Sequence, residues 1–246
     1  MEAQAKKQLY SEERNWLNRG RVTLLGNLLA SVKEIDGPVL DIGAGSGHAI
    51  PTLKQYGEVD AIELAPEAQE YLKQKPVRTI YTEGLPQIKV DQSYKTIVGL
   101  EVLEHIEDEK GAISWVDNHL DDNGYLLLTV PAYQWLFGPH DVANQHFRRY
   151  TKGRLLKALP EYYTLVRSGY FITGLFPLAV ASKLAFLLKN KMKKKDQTIK
   201  KQSSNLPKFA DKIFFTILKL EAEMAKLGIS MPFGLTVYVL AQKKKG

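Results

Sequence analysis

Three glycines at alternate positions, Gly43, Gly45 and Gly47, follow directly on the run Val39-Leu40-Asp41-Ile42. An apolar run that ends on glycines reads as a strand opening into a turn. There the backbone can take positive φ and press close to a ligand. A helical pattern is expected from about His48, with its first amides facing the turn. Strand, glycine turn and helix in this order hold nucleotide-type cofactors at the carboxyl end of the first strand of open α/β sheets. A glycine turn without a ligand is the plain alternative that this run alone leaves open.

The spacing narrows the ligand. A dinucleotide fingerprint requires glycine where His48 stands, and a phosphate loop requires Gly-Lys-Ser/Thr, whereas the first lysine after Gly47 is Lys54. The pattern Asp41-x-Gly43-x-Gly45-x-Gly47 instead resembles the first motif of the class I S-adenosylmethionine-dependent methyltransferases. A second signal is the short β-type run that ends in Glu63-Leu64, 22 residues after Asp41. A carboxylate at a strand tip can accept hydrogen bonds from both hydroxyls of a ribose, and Glu63 matches the family residue that does so. An ordinary strand-end glutamate is the plain reading that the glycine turn displaces.

Further stations follow. Residues 77–82 read as a third strand before Glu83-Gly84, where the family places an acidic or polar residue against the adenine amino group. Residues 94–100 read as a fourth strand leading into Glu101-Val102-Leu103-Glu104-His105. Residues 124–131 read as a fifth, with Asp122-Asn123-Gly124 as the turn before it. The resemblance implies cofactor contacts at Asp41, Gly43, Ala44, Gly45, Gly47 and Glu63, then at Leu64, Glu83, Gly84, Leu100 and Glu101. A helix over residues 12–32 carries Arg19 and Arg21. Either guanidinium, Arg21 above all, can pair with the cofactor carboxylate, and a solvated helix face is the alternative.

Alternating strands and helices imply an α/β fold: a doubly wound, mostly parallel seven-stranded sheet, Rossmann-like, with a helical insertion before the last strand. The expected parts are an N-terminal helical segment (1–36), a methyltransferase core (37–170), a helical cap with a basic linker (171–234) and a final strand with a basic tail (235–246). A chain of 246 residues with 44% hydrophobic content supports one such core plus a cap. It has no cysteine, which excludes disulfides and thiolate metal sites, and residues 1–10 are polar rather than leader-like. The expectation is a cytoplasmic chain, peripheral at a membrane.

The reacting side is expected in residues 132–151, where five aromatics, His140, His146, Asp141, Arg148 and Arg149 share a stretch without clean periodicity. Loops at the carboxyl ends of such strands carry the chemistry, and histidine is poised near neutral pH to take a proton from a nucleophile. His146, His140 and His105 are the base candidates. Arg148 and Arg149 contact substrate or anchor the loop. The wording His-Phe-Arg-Arg-Tyr-Thr resembles bacterial methyltransferases of mostly unassigned substrate. Glu101-x-x-Glu104-His105 with His146 also resembles the metal-binding pattern of small-RNA 3′-end 2′-O-methyltransferases. That resemblance implies a divalent ion on Glu101, Glu104, His105 and His146, whereas Glu104 and His105 as turn-shaping residues are the alternative.

The net charge of +7 is uneven. Residues 183–246 hold 15 lysines against 4 acids, and the rest of the chain is net acidic. Strands are expected at 162–170 and 235–241, with 171–234 between them. That insertion opens on an apolar run interrupted by Pro177 and Lys183, too broken for a span. Lys189, Lys191, Lys193, Lys194, Lys195, Lys200 and Lys201 follow, then a helix at about 209–227. A lid over an apolar substrate, an anchor on an anionic membrane surface and a dimer face all fit this pattern. Lysines without interleaved aromatics argue only weakly for nucleic acid.

The reading is an S-adenosylmethionine-dependent methyltransferase acting on an oxygen or nitrogen nucleophile of a small or lipid-linked substrate. The alternatives are a metal-assisted RNA 2′-O-methyltransferase and a cofactor-binding regulator without catalysis.

Overall fold

The computed structural model describes residues 15–32, 35–192 and 207–244. The lysines at 193–201 and the first ten residues lie outside them, as do the side chains of Lys189 and Lys191. The elements run α1 (Trp16–Leu29), β1 (Val39–Ile42), α2 (Ile50–Leu53), β2 (Val59–Ile62), α3 (Pro66–Leu72), β3 (Thr79–Tyr81) and β4 (Tyr94–Leu100). Then come α4 (Glu109–His119), β5 (Leu120–Pro131), α5 (Pro139–Ala143), α6 (Lys152–Ala158), β6 (Tyr163–Phe171), α7 (Phe176–Met192), α8 (Lys208–Lys226) and β7 (Thr236–Lys243).

The strands form one sheet in the order β3-β2-β1-β4-β5-β7-β6, parallel except where β7 runs antiparallel to both neighbours. This is the doubly wound α/β sheet the sequence implies. Side chains alternate across each strand and fill two cores. Leu126, Leu128 and Val130 of β5 pack with Ala112, Ile113 and Val116 of α4 on one face. On the other, Leu127 joins Leu24, Leu25, Leu28 and Leu218 of α1 and α8. Strands covered on both sides are mostly apolar, which is why they read as nearly continuous hydrophobic runs.

Three local differences from the sequence reading have physical causes. The helix expected from His48 is a single turn, α2, so no extended helix dipole points at the glycine turn. The fifth strand opens at Leu120. The pairs Tyr94↔Leu120 and Thr96↔Tyr125 bracket the Asp122-Asn123-Gly124 turn, which the strand absorbs as a bulge with Asn123 at φ 59°. The reactive loop contains a short helix, α5, that no periodicity announces. Thr151 caps α6, accepting from the Arg154 amide at 3.2 Å.

One buried charge sits in the sheet. Asp60 on β2 is fully buried and accepts from Arg78 Nε at 2.9 Å, Arg78 Nη2 at 2.5 Å, Tyr94 Oη at 2.9 Å and the Gln92 amide. Burial works to raise its carboxyl, but these hydrogen bonds and the Arg78 charge outweigh it and hold it below the ordinary range.

The cap is tied to the core at defined points. Asp211 of α8 accepts from the Trp16 amide at 3.0 Å and pairs with Arg19 at 3.2 Å, while the Arg19 guanidinium lies 3.7 Å from the Phe215 ring centre. A Cβ at Gly20 would stand 2.3 Å from Leu218 Cδ1, so glycine sets how closely α1 and α8 cross. Glu221 of α8 accepts from the Thr173 and Gly174 amides, both at 3.0 Å, and so fixes the chain just before α7. Lys183 of α7 donates to the Phe137 carbonyl at 2.6 Å.

Candidate active site

Parallel register brings the strand ends together. Ile42 stands opposite Ile62 and Gly99, so Gly43, Glu63 and Leu100-Glu101 leave the sheet side by side. The strand order also changes direction at β1 and β4, the crevice where such sheets bind ligands. Gly43, Gly45 and Gly47 have φ of 67°, 56° and 81°, in the left-handed region that favours glycine. The turn is pinned to β2 by the Gly43 and Ala44 amides, which donate to the Ile62 carbonyl at 2.8 and 3.1 Å. Glu63 accepts from the Gly45 amide at 2.7 Å and the Ala65 amide at 2.8 Å. Asp41 is buried under the turn, and its Oδ2 has no hydrogen-bond partner. Burial, then the Glu63 charge, pushes its carboxyl up to about 7.

Two open cavities lie at these strand ends, the smaller one against the turn. One, of about 570 Å³, is bordered by Ile42, Gly43, Leu64, Gly84 and Val102. The other, of about 940 Å³, holds Arg21, Glu101, Glu104, His105, His140 and His146. His105 borders both. The walls of the larger one include Trp16, Leu17, Leu136, Ile172, Leu175 and Ala179, the last on α7. Its base is therefore polar and its sides are apolar.

On the polar base, His146 Nδ1 lies 2.9 Å from Asp141 Oδ1. Asp141 is buried and also takes Arg149 Nε at 2.7 Å, Arg149 Nη2 at 3.0 Å and the Gly138 amide at 2.8 Å. Its burial works to raise the carboxyl, but hydrogen bonds from His146 and Arg149 and the Arg149 charge hold it far below the usual range. An ionised carboxylate only accepts, so the proton sits on Nδ1 and Nε2 is left as the basic nitrogen. The His105 ring stands edge-on to His146 with centres 4.5 Å apart. Burial, then that neighbour, lowers the His105 pKa.

Glu104 is fully buried and neither carboxylate oxygen has a hydrogen-bond partner. Burial, then Glu101, pushes its pKa well up. Glu104, His105 and His146 offer ligand atoms within 4.8 Å of one another, a grouping that suits a divalent cation. Glu101 stands outside that group; its Oε2 pairs with Arg21 at 2.9 Å, and its backbone holds φ 57°.

The structure thus gathers Arg21, Glu101, His105, His140 and His146 around one cavity, and Gly43, Leu64 and Gly84 around the other. Glu83 is exposed and lines neither. Arg19 is taken up by Asp211. Arg148 and Arg149 anchor the loop, the former on the Glu107 carbonyl at 2.7 Å. Sequence reasoning assigned no role to Asp141, although Gly138-Pro139-x-Asp141 is a helix-start pattern in which the third residue reaches back to the first amide. Lys183 and Ile172 gave no signal, because the cavity they line forms only once α7 has folded back.

Comparisons with known proteins support the fold. The chain resembles a solved plantazolicin methyltransferase in complex with SAH (TM-score 0.61, 12% identity, covering 98% of this chain and 90% of that one). It also resembles a putative methyltransferase solved in complex with the Haloferax volcanii Trm112 activator (TM-score 0.60, 15% identity, 99% and 96%). A curated ubiquinone biosynthesis O-methyltransferase of Rickettsia felis is 28% identical over 98 residues, covering 37% of this chain and 40% of that protein. The chain therefore spans well under half the length of the curated relative it matches. The methyltransferase-domain family profile matches residues 14–167. That stretch contains the glycine turn, Glu63 and the His146 loop, and the chain belongs to this family as a class I S-adenosylmethionine-dependent methyltransferase.

Proposed function

We propose that the enzyme methylates an oxygen or nitrogen nucleophile on a small or lipid-linked acceptor. The observation that carries this is the larger cavity, with its His146–Asp141 pair on a polar base and apolar wall residues that include Ala179 of α7. A polar head and an apolar body match those two surfaces. The curated relative is named for methyl transfer to oxygen, which supports the acceptor class.

The residues fit the methyl donor. Nothing stands within 4 Å of where a Cβ would sit at Gly45, so the turn leaves a cradle, and the Asp41 Oδ2 beneath it has no partner. When bound, S-adenosylmethionine supplies an electrophilic methyl group on a sulfonium. Glu63, fixed by two backbone amides, keeps further lone pairs for the ribose hydroxyls. Arg21, already beside Glu101, is placed to meet a carboxylate. His146 Nε2 takes the proton of the attacking group, and Asp141 stabilises the imidazolium that results. Replacing Glu63 by alanine is expected to weaken S-adenosylhomocysteine binding by about 10²-fold or more, read by calorimetry, since each hydrogen bond to a charged group contributes about 1.5–3 kcal/mol.

The acceptor class is tested with methyl-labelled S-adenosylmethionine and a cell extract, partitioned into lipid, nucleic-acid, protein and small soluble pools. Label in the lipid or small soluble pool supports the proposal. Label in RNA or protein overturns it.

A second reading rests on the buried, unpartnered Glu104 carboxylate beside His105 and His146. A divalent cation there would keep Glu104 ionised and polarise acceptor hydroxyls, including an RNA 2′-hydroxyl. Titration with Mn²⁺ is expected to show one site that Glu104→Gln abolishes, with activity falling on exhaustive chelation. Full activity after chelation removes this reading and leaves His146 as the base.

A further inference from the structure

We infer that the outer faces of α7 and α8 dock on an anionic lipid bilayer surface. On α8, Phe209, Ile213, Leu220 and Leu227, just past its last turn, follow helical spacing along one stripe, and all four are exposed. Phe209 and Leu227 are 76% and 74% exposed, values unusual for large apolar side chains on a helix packed against its own core. The opposite side of the same helix is buried through Leu218, Ala222 and Ala225. The exposed stripe is therefore a second apolar face, which packing among the described residues does not require.

On α7 the same division recurs. Leu175, just before the helix, with Ala179 and Lys183 faces the larger cavity, whereas Leu178, Leu184 and Leu188 are exposed on the other side. Among its described side chains, the helix that walls the cavity thus carries exposed leucines on its outer side.

Charge selects the occupant. Lys212 and Lys219 lie seven residues apart on α8, beside the apolar stripe. Both are exposed, and neither forms an ion pair among the described residues. Of the acids on α8, Asp211 turns inward to Arg19 and Trp16, and Glu221 turns inward to Thr173 and Gly174. Only Glu223 stays exposed. An apolar stripe edged by lysines, with most acids withdrawn, matches the boundary between headgroups and acyl chains of an anionic leaflet. Among the described residues no helix is long and apolar enough to cross a membrane, so contact is along the surface.

The test is flotation of the full chain with vesicles of phosphatidylcholine alone or mixed with phosphatidylglycerol. It needs no methyl acceptor, so it can fail while the substrate reading stands, and the reverse. Binding to the mixed vesicles alone, weakened by salt, is expected. Lys212→Gln and Lys219→Gln are each expected to lower partitioning about fivefold. Leu220→Ser with Leu227→Ser is expected to release the protein from vesicles. Retained S-adenosylhomocysteine binding shows that each variant is folded. No binding to the mixed vesicles, or binding indifferent to all four substitutions, overturns the inference. So does self-association in analytical ultracentrifugation that the leucine variant abolishes without lipid, because the stripe then belongs to a second copy of the chain.

Discussion

Replacing His146 by alanine is expected to lower kcat for methyl transfer by about 10²–10⁴-fold, the usual contribution of a positioned general base. Affinity for S-adenosylhomocysteine should not change, because His146 stands on the acceptor side and touches neither the glycine turn nor Glu63. Asp141→Asn separates orientation from basicity. The asparagine side chain can donate as well as accept, so it no longer obliges the proton to sit on Nδ1. Rate should fall with little change in KM, and the pH at which the rate rises should move with it. Activity retained within a few-fold in His146→Ala would remove this residue from the chemistry and leave His105, on the border of both cavities, as the next base.

Arg78→Ala is expected to cost about 3 kcal/mol of stability, at the lower end for breaking a buried pair, read from urea midpoints at constant m. The Asp60 carboxylate, fully buried in the fold, would lose its cationic partner and keep the neutral donors Tyr94, Gln92 and Thr79. The lower end applies because the Arg78 side chain is itself 38% exposed, so solvent screens part of its charge. The effect has a sign in pH. The Asp60 pKa is depressed in the fold, so its contribution is present above the unfolded value of about 3.9 and disappears as pH falls through the folded value. The gap between wild type and variant should be full at neutral pH and close on acidification below about pH 4. A gap that stays constant into strong acid would assign the loss to packing rather than charge.

What could be read from the sequence followed from local chemistry. The glycine turn and Glu63 announce themselves because their roles are set within one strand end each. The strands are legible because those covered on both faces are apolar for several residues in a row. Local signals failed where a longer-range partner decides. Asp122-Asn123-Gly124 has turn chemistry, yet pairing with β4 absorbs it into β5 as a bulge. Asp141 depends on Arg149, eight residues away, and on His146, with no period linking them. Arg19 appeared to be available for a cofactor because its partner, Asp211, lies 192 residues further on. Glu104 looked like one member of a four-residue ligand set, but the pairing of Arg21 with Glu101 leaves three.

The crossing of α1 and α8 at Gly20 bears on how this enzyme can be recombined with its relatives. The residue after Gly20 is Arg21, which reaches Glu101 in the site, while the α8 side of the crossing holds the turn before α7 through Glu221. Grafting residues 171–234 alone onto another core would leave Trp16 and Arg19 facing the wrong helix and would shift Arg21 with them. The exchangeable module is therefore discontinuous in sequence, combining the first described helix with the pair before the last strand. Chimeras that move all three together should keep cofactor affinity, and chimeras that move the pair alone should lose it.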